Sequence, residues 1–371
     1  MSQKISLQEK NTPLWQNYQD KKGNDRMLFP TEGANLLGVS ELELLLASPN
    51  SQYMGTDCKA VLLQLEEFGV VESIVRNALA VHEKSGLYHN LKLGEKMGLA
   101  LNVGGLDLRF FMWQWKHMIA MTDTSNAERP SYSVQFFDGS GHAIDKVFLR
   151  ELSAENINKW QQMIAEQCQE VQSLDSIELE PKTKPTAWQY KALEDEKRQE
   201  LQSQWQQMTD VHQFHFLLKK LEIDRASSYY QAPEGMATPL KKEAFASLFE
   251  QARDAQCSIM IFVGNTGMVQ IQTGQVHQLK RIGDWYNILD KKDTQFTLHL
   301  KDQDLAQVWC VKRPTKDGIV TCIEGFDQYG TSILTVFGER IEGEPEQAIW
   351  QEITQSLVSQ FQLSDNSQNV Q

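Results

Sequence analysis

The chain repeats itself, and this repeat limits the possible folds more than any other feature of its 371 residues. Moving the second half back by about 190 residues brings similar segments into register, in the same order. The matching segments are residues 15–20 with 205–210, 77–86 with 265–274, 137–141 with 326–330, Arg150 with Arg340, and Trp160 with Trp350. We therefore predict a tandem duplication. At this offset His212 falls opposite Lys22 and Arg109 falls opposite His299. The two halves therefore carry different residues at candidate binding or catalytic positions.

Each half follows the same order of predicted elements: helices, then strands, then a closing helix. In the first half we predict helices at 40–46 and 59–65 and a closing helix capped by Ser153. Between them lie β-rich runs at 73–79, 98–102, 106–115, 131–137 and 143–148. In the second half we predict helices at 204–221, 241–253 and 346–361, with strands from 258 to 337. Consecutive strands without intervening helices indicate an α+β fold with two antiparallel β-sheet halves and flanking helices.

Composition sets the domain limits and excludes several classes of function. We predict a first repeat at 1–178, a linker at 179–200, a second repeat at 201–363 and a polar tail at 364–371. A net charge of −13 argues against nucleic acid as a partner. No window approaches 18 uninterrupted apolar residues, so a membrane span is not expected. A polar start and five scattered cysteines favour a cytoplasmic protein without a Cys-based metal site.

One segment of the second half, residues 208–218, suggests a ligand. At helical spacing, the apolar residues Val211, Phe214, Leu217, Leu218 and Leu221 form a stripe for the core. His212 lies opposite this stripe, with Phe216 and Lys219 beside it and His215 further round. An imidazole, an aromatic ring and an ammonium together suit haem, which offers iron, a porphyrin and propionates. The alternative interpretation is a solvated helix face with two ordinary histidines.

A strand of the first half carries the second candidate, Arg109. Leu106, Leu108, Phe110 and Met112 alternate along one face, whereas Asp107, Arg109, Phe111 and Trp113 share the other. An arginine among aromatic residues caps a pocket or covers another layer; the alternative is a surface arginine stacked on tryptophan.

Several short motifs together resemble the HemS/HmuS/ChuS family of cytoplasmic haem-binding, hemin-degrading proteins. They are the segments 208–214 (MTDVHQF), 106–110 (LDLRF), 135–138 (QFFD), 262–265 (FVGN), 296–300 (FTLHL) and 340–344 (RIEGE). The resemblance runs from about Trp15 to about Trp350 and includes the duplication.

The resemblance implies one haem b (iron protoporphyrin IX) in a cleft between the halves. The family's axial ligand falls on His212 and its distal arginine on Arg109, which would be the catalytic residue. Arg340 matches a propionate-binding arginine, and Arg225 stands where another basic residue is expected. This chain departs from the family at Phe337, where tyrosine is frequent. It departs again at Gly283, where lysine is frequent and for which Lys280 or Arg281 could substitute.

Three functions follow as hypotheses. The first is a haem-binding protein of haem-iron acquisition that opens the porphyrin ring with electrons from an external donor. The second is a non-enzymatic carrier or store that receives haem from an inner-membrane importer and delivers it to a separate oxygenase. The third is a haem-free scaffold that binds a protein through Trp113 and Trp285. A second haem at His82 or His215 and a monomeric or homodimeric state all stay open. For His82 a satisfied hairpin histidine is preferred to a second ligand.

Overall fold

A computed structural model describes residues 12–25, 28–168, 177–181 and 183–364. The first half contains, in order, helices α1 (Pro13–Lys22), α2 (Pro30–Leu37) and α3 (Glu41–Leu46), strand β1 (Ser51–Gly55), helix α4 (Cys58–Gln64), strands β2 (Val70–Arg76), β3 (Ala80–Leu87), β4 (Leu91–Leu93), β5 (Met97–Ala100), β6 (Asp107–Phe111), β7 (His117–Asp123), β8 (Ser131–Phe137) and β9 (Ala143–Leu149), and helix α5 (Ala154–Gln167). Short 3₁₀ helices occupy Leu65–Phe68 and Met112–Gln114.

The second half contains the same kinds of element in a similar order. They are helices α6 (Asp195–Gln206), α7 (Gln213–Leu221) and α8 (Arg225–Tyr229), strand β10 (Ala237–Leu240), helix α9 (Ala244–Asp254), strands β11 (Ile259–Gly264), β12 (Met268–Gly274), β13 (Leu279–Ile282), β14 (Trp285–Asp290), β15 (Phe296–Leu300), β16 (Gln307–Thr315), β17 (Gly318–Phe326) and β18 (Ser332–Gly338), and helix α10 (Ala348–Phe361). A 3₁₀ helix lies at Asp302–Asp304.

The strands form two nine-stranded antiparallel sheets. Their orders are β1-β7-β8-β9-β2-β3-β15-β14-β13 and β10-β16-β17-β18-β11-β12-β6-β5-β4. The predicted α+β class with duplicated antiparallel halves is confirmed. The sequence signals missed helices α1, α2 and α8 and strands β1, β3, β4, β7 and β10. The predicted strand at 106–115 ends at Phe111, and a 3₁₀ helix follows it.

Side-chain caps fix where several helices begin. The Ser40 hydroxyl accepts the N–H of Glu43, and the Glu43 carboxylate accepts the N–H of Ser40, which is a complete capping box for α3. Ser153 caps α5 as predicted, because its hydroxyl accepts the N–H of Asn156. Each closing helix then buries one tryptophan, Trp160 in α5 and Trp350 in α10, both fully inaccessible.

Of the described residues, those within Met1–Arg76, Glu83–Thr183 and Asn265–Gln270 form one compact unit. Those within Asn77–His82, Lys184–Gly264 and Ile271–Gln371 form the other. Each unit thus includes one short segment from the other half of the sequence, residues 265–270 in the first unit and 77–82 in the second. The predicted domain limits stay predictions, and the predicted tail at 364–371 lies outside the described residues except for Ser364.

The offset of 190 residues does not extend to the helices that open each half. Helix α2 ends on Gly38 and α7 ends on Glu222, both with left-handed backbone (φ 73° and 54°), and these positions are 184 residues apart. By element, the residue that precedes the second helix is Phe29 in the first half and His212 in the second. The predicted pairing of His212 with Lys22 is therefore wrong, because the offset increases only after these helices: α3 and α8 begin 184 residues apart, whereas β2 and β11 begin 189 residues apart.

Candidate functional site

His212 lies at the junction between two helices of the second unit. The predicted continuous helix at 204–221 is wrong: α6 ends at Gln206 and α7 begins at Gln213. The backbone turns between them, with the N–H of Gln213 donating to the carbonyl of Asp210 at 3.1 Å. His212 is consequently the residue that precedes α7, and not a residue inside a helix.

The apolar face of α7 seats this junction on the core. Phe214, Leu217, Leu218 and Leu221 are all buried as predicted, whereas Val211 is half-buried. The Phe214 ring packs edge-on against Trp205, with ring centroids 4.5 Å apart, and stacks on Tyr229 at 6.1 Å. This packing holds the first turn of α7 and therefore the residue before it.

A carboxylate orients the His212 imidazole. Nδ1 of His212 lies 2.7 Å from Oδ1 of Asp210, and the same oxygen accepts the backbone N–H of His212 at 2.8 Å. The pKa of Asp210 is lowered by the His212 backbone N–H, then by its ring, and also by the charge of Arg340. With Nδ1–H donating to the carboxylate, the lone pair is on Nε2, the nitrogen suited to a metal.

The surroundings of His212 are open. Its side chain is 85% exposed, and Phe216 is 68% exposed one turn further along α7. His215 and Lys219 are also exposed. Phe216 lines a surface hollow of about 380 Å³ together with Gln204, Gln207, Met208, Gln213, Leu217 and Lys220. An exposed imidazole beside an exposed aromatic ring is an arrangement that can receive a flat ligand from solution.

Under α7 lies a buried polar network centred on Glu324, which is fully inaccessible. Its carboxylate accepts hydrogen bonds from Arg225 Nε at 3.1 Å, from Ser332 Oγ at 2.7 Å and from the Tyr229 hydroxyl. Arg313, which is 2% exposed, donates to the Tyr229 hydroxyl at 2.7 Å and lies over the Phe214 ring at 4.6 Å. These contacts couple the buried charges to the helix that carries the site.

The other predicted residues of the second unit have different surroundings. Arg225 pairs with Glu324, so its guanidinium is partly engaged inside the protein. Arg340 is exposed and acts on Asp210 through its charge. Phe337 is half-buried and packs edge-on against Phe262 at 5.3 Å. Arg281 forms a bidentate pair with Asp302, at 2.9 and 2.7 Å, which leaves Lys280 as the exposed cation near Gly283.

Arg109 belongs to the first unit. The predicted alternation holds along β6: Leu106, Leu108 and Phe110 are fully buried, and Arg109 is one-third exposed on the other face. Its guanidinium pairs with Asp107 and donates to the carbonyl of Leu108 at 3.0 Å. Burial raises the pKa of Asp107, and the neighbouring Arg109 opposes that rise.

Sequence reasoning missed Asp210 and the Glu324 network. Asp210 stood in the Thr-Asp-Val-His segment, and an acidic residue two positions before a histidine is a signal for such a side-chain pair. The Glu324 network had no comparable signal, since its members come from four elements. His82 is fully buried, with its ring 4.8 Å from that of Phe296, in agreement with a core role.

Two searches of the described residues bear on ligand classes. No cluster of three or more His, Cys, Asp or Glu side chains there has a metal-binding arrangement. Nor does that part of the chain hold a helix with the length and apolar character needed to cross a membrane.

Comparison with known proteins gives consistent matches over most of the chain. The family model described as "Haemin-degrading HemS.ChuX domain" matches residues 38–167 and again 222–357. The hemin transport protein HmuS of Yersinia pestis is 35% identical over 352 residues, covering 94% of this chain and 98% of that protein. The heme-degrading enzyme ChuS of Escherichia coli O157:H7 has a similar structure, with a TM-score of 0.83 and 32% identity, covering 93% of this chain and 98% of that one. Holo-PhuS, a heme-binding protein from Pseudomonas aeruginosa, gives a TM-score of 0.82 and 34% identity, with coverage of 93% and 98%.

Proposed function

Because this chain belongs to the HemS/HmuS/ChuS family of haemin-degrading proteins, we propose that it binds one haem b through Nε2 of His212 and serves haem-iron acquisition in the cytoplasm. Haem is its cargo or substrate. The iron supplies the reactive chemistry once haem is bound, and the chain supplies the ligand and its orientation.

The contact between His212 and Asp210 carries this proposal. A metal-ligating histidine usually donates its other ring N–H to a carboxylate or carbonyl, which fixes the tautomer and makes the ligand more basic. Asp210 does this at 2.7 Å and also holds the backbone of His212.

The neighbouring side chains suit the rest of the ligand. The exposed Phe216 ring offers an apolar face for a porphyrin, and the exposed cations Lys219 and Arg340 offer charge to propionates. Arg225 is a weaker candidate for that role, because it already pairs with the buried Glu324.

A hemin titration of purified protein tests the axial assignment. His212→Ala should alter the Soret band and weaken binding, whereas His215→Ala, three residues further on an equally exposed surface, should leave both unchanged. An unaltered spectrum and affinity in His212→Ala would exclude His212 as the ligand.

We also propose that the chain opens the porphyrin ring and releases iron, with dioxygen as the oxidant, an external donor as the source of electrons and Arg109 as the assisting residue. A guanidinium is always protonated, so Arg109 can donate hydrogen bonds to the reacting groups but cannot act as a base. Release from its pair with Asp107 would free those donors. Incubation of the haem complex with a reductant and catalase tests this: loss of the Soret band with release of chelatable iron supports catalysis. Arg109→Ala should slow that loss more than it weakens haem binding.

The exposure of His212 also favours a carrier as the second candidate function. A ligand that is 85% exposed allows haem to enter and leave without a large opening of the protein. A carrier would receive haem from an importer and give it to a separate oxygenase. A stable Soret band under reducing conditions, followed by transfer of haem to an added oxygenase, would support the carrier over the enzyme.

A further inference from the structure

The first unit holds a cavity of about 470 Å³ between its opening helices and its sheet. Trp15 and Lys22 of α1 line one side, and Asp123, Ser133, Gln135 and Phe148 line the side formed by β7, β8 and β9. It contains both apolar rings and polar groups, of which Lys22 and Asp123 are charged. All of these residues belong to the first unit, so the cavity is separate from His212.

Gln135, one of the residues that line this cavity, has an unused hydrogen-bond acceptor. The residue is 6% exposed, and its Nε2 donates to the hydroxyl of Ser133 at 3.3 Å. Its Oε1 is buried and accepts no hydrogen bond from the residues that the structure describes. Buried amide oxygens are rarely left without a donor, and a bound ligand with an N–H group would supply one here.

The second unit shows what normally satisfies this position. Glu324 stands two residues before Phe326, as Gln135 stands two residues before Phe137, in the equivalent strands β17 and β8. Glu324 is fully satisfied, by Arg225, Tyr229 and Ser332, with Arg313 3.8 Å away. Two of these four neighbours are guanidinium groups.

The first unit has lost all four donors. Counted from the left-handed helix ends Gly38 and Glu222, the counterpart of Arg225 is Glu41 and that of Tyr229 is Leu45. Counted from Phe137 and Phe326, the counterpart of Ser332 is Ala143. Asp123, paired with Ser131, takes the place of Arg313, paired with Val320. The positions of Arg313 and Glu324 thus correspond to Asp123 and Gln135 in the first unit, and both of these residues line the cavity.

We propose that this cavity binds a small linear cation that carries a guanidinium group and a second positive charge. The guanidinium donates to Oε1 of Gln135, and the second charge lies toward Asp123. Asp123 pairs with Ser131, four residues along β8 from Gln135, which corresponds to about 13 Å at the rise of a strand. Lys22, the one cation among the described lining residues, has its Nζ 3.5 Å from the Tyr18 hydroxyl. The net charge of −13 also favours a cationic ligand.

Calorimetric titration of the full chain with agmatine tests the proposal, which does not depend on haem binding. Agmatine should bind with a stoichiometry of one, and Gln135→Leu and Asp123→Asn should each weaken it by about tenfold or more. Gln135→Glu, which keeps an acceptor, should retain binding. Glu95→Gln, an exposed acid away from the cavity, is the matched control and should have no effect.

Two related probes separate the ends of the site. Binding of n-butylamine, which has no donor at the guanidinium end, should be insensitive to Gln135→Leu. Binding of n-butylguanidine, which lacks the second positive charge, should be insensitive to Asp123→Asn. The proposal is overturned if millimolar agmatine gives no binding, if both variants bind it as the parent does, or if the dicarboxylate glutarate binds more tightly. Hemin titration of Asp123→Asn should match the parent, so failure at one site is distinguishable from failure at the other.

Discussion

Asp210 Oδ1 holds His212 twice, through Nδ1 of the ring at 2.7 Å and through the backbone N–H at 2.8 Å. One short acidic side chain therefore sets both the position of the backbone before α7 and the direction of the imidazole. The relationship links local turn chemistry to the proposed ligation of haem.

Replacing Asp210 by asparagine should weaken haem binding by about 10- to 100-fold, the usual effect of losing such an orienting partner. Asparagine keeps the backbone contact but loses the negative charge that fixes the Nδ1–H tautomer and raises ligand basicity. Hemin titration measures the affinity, and Asp304→Asn, an exposed acid in the same unit, is the control. Equal affinities in the two variants would contradict the orienting role of Asp210.

We expect the buried Glu324 to act mainly by stabilising the folded protein and not by contacting the ligand. Glu324→Gln leaves the guanidinium of Arg313, which is 2% exposed, without its counter-charge. Breaking a buried pair in this way typically costs about 3–5 kcal/mol in the free energy of unfolding. Urea unfolding measures this loss, with the exposed Glu352→Gln as control. A change below about 1 kcal/mol in the free energy of unfolding would show that the charge of Glu324 contributes little to the stability of the buried network.

Asp145 should make stability depend on pH. Burial raises its pKa from 3.8 to about 7, although Ser73 Oγ and the Tyr88 hydroxyl donate to it at 2.8 and 3.1 Å. Between these two pKa values the folded state binds the extra proton, so this group lowers stability as the pH rises from about 4 to about 7. The slope approaches about 1.4 kcal/mol per pH unit at most.

Asp145→Asn keeps the shape and removes the titration, so the variant should lose that part of the pH dependence. Urea unfolding at pH values from 4 to 8 measures it, with the exposed Asp254→Asn as control. Persistence of the full slope in Asp145→Asn would assign the pH dependence to other groups.

The hairpin asparagines Asn77 and Asn265 should each stabilise the unit they pack into. Asn77 Nδ2 donates to the carbonyls of Gly264 and Ile333, and its Oδ1 accepts two backbone N–H groups of its own turn. Asn265 repeats the pattern with the carbonyls of Arg76 and Ile144. Replacing either by alanine should cost about 1–3 kcal/mol, since buried groups lose their partners.

Hydrogen exchange distinguishes the two. Asn77→Ala should lower protection near residues 264 and 333, although residue 77 belongs to the first half of the sequence. Asn265→Ala should lower it near residues 76 and 144. Protection lost only within each variant's own hairpin would contradict this crossed arrangement.

Sequence patterns alone predicted the fold class, the repeat and the closing helix of each half, because these depend on periodicity and caps. Ser153 and Ser40 marked helix starts that the structure contains, and the stripe from Phe214 to Leu221 is buried as its spacing required. The matching order of segments was enough to show the duplication. These patterns could not show that His212 precedes a helix and does not lie inside one, because the apolar spacing continues across the break between α6 and α7.

The tertiary structure decided what surrounds each candidate residue. It engaged Arg225 with Glu324 and Arg109 with Asp107, left His212 exposed and paired with Asp210, and exchanged residues 77–82 and 265–270 between the units. It also left Gln135 in the lining of a cavity with an unused acceptor, whereas its counterpart Glu324 in the other unit is fully paired. The physical reason is that periodicity shows only which face of an element is buried. The pairing of charges and the filling of space depend on residues that are distant in the chain and come into contact only after the sheets have formed.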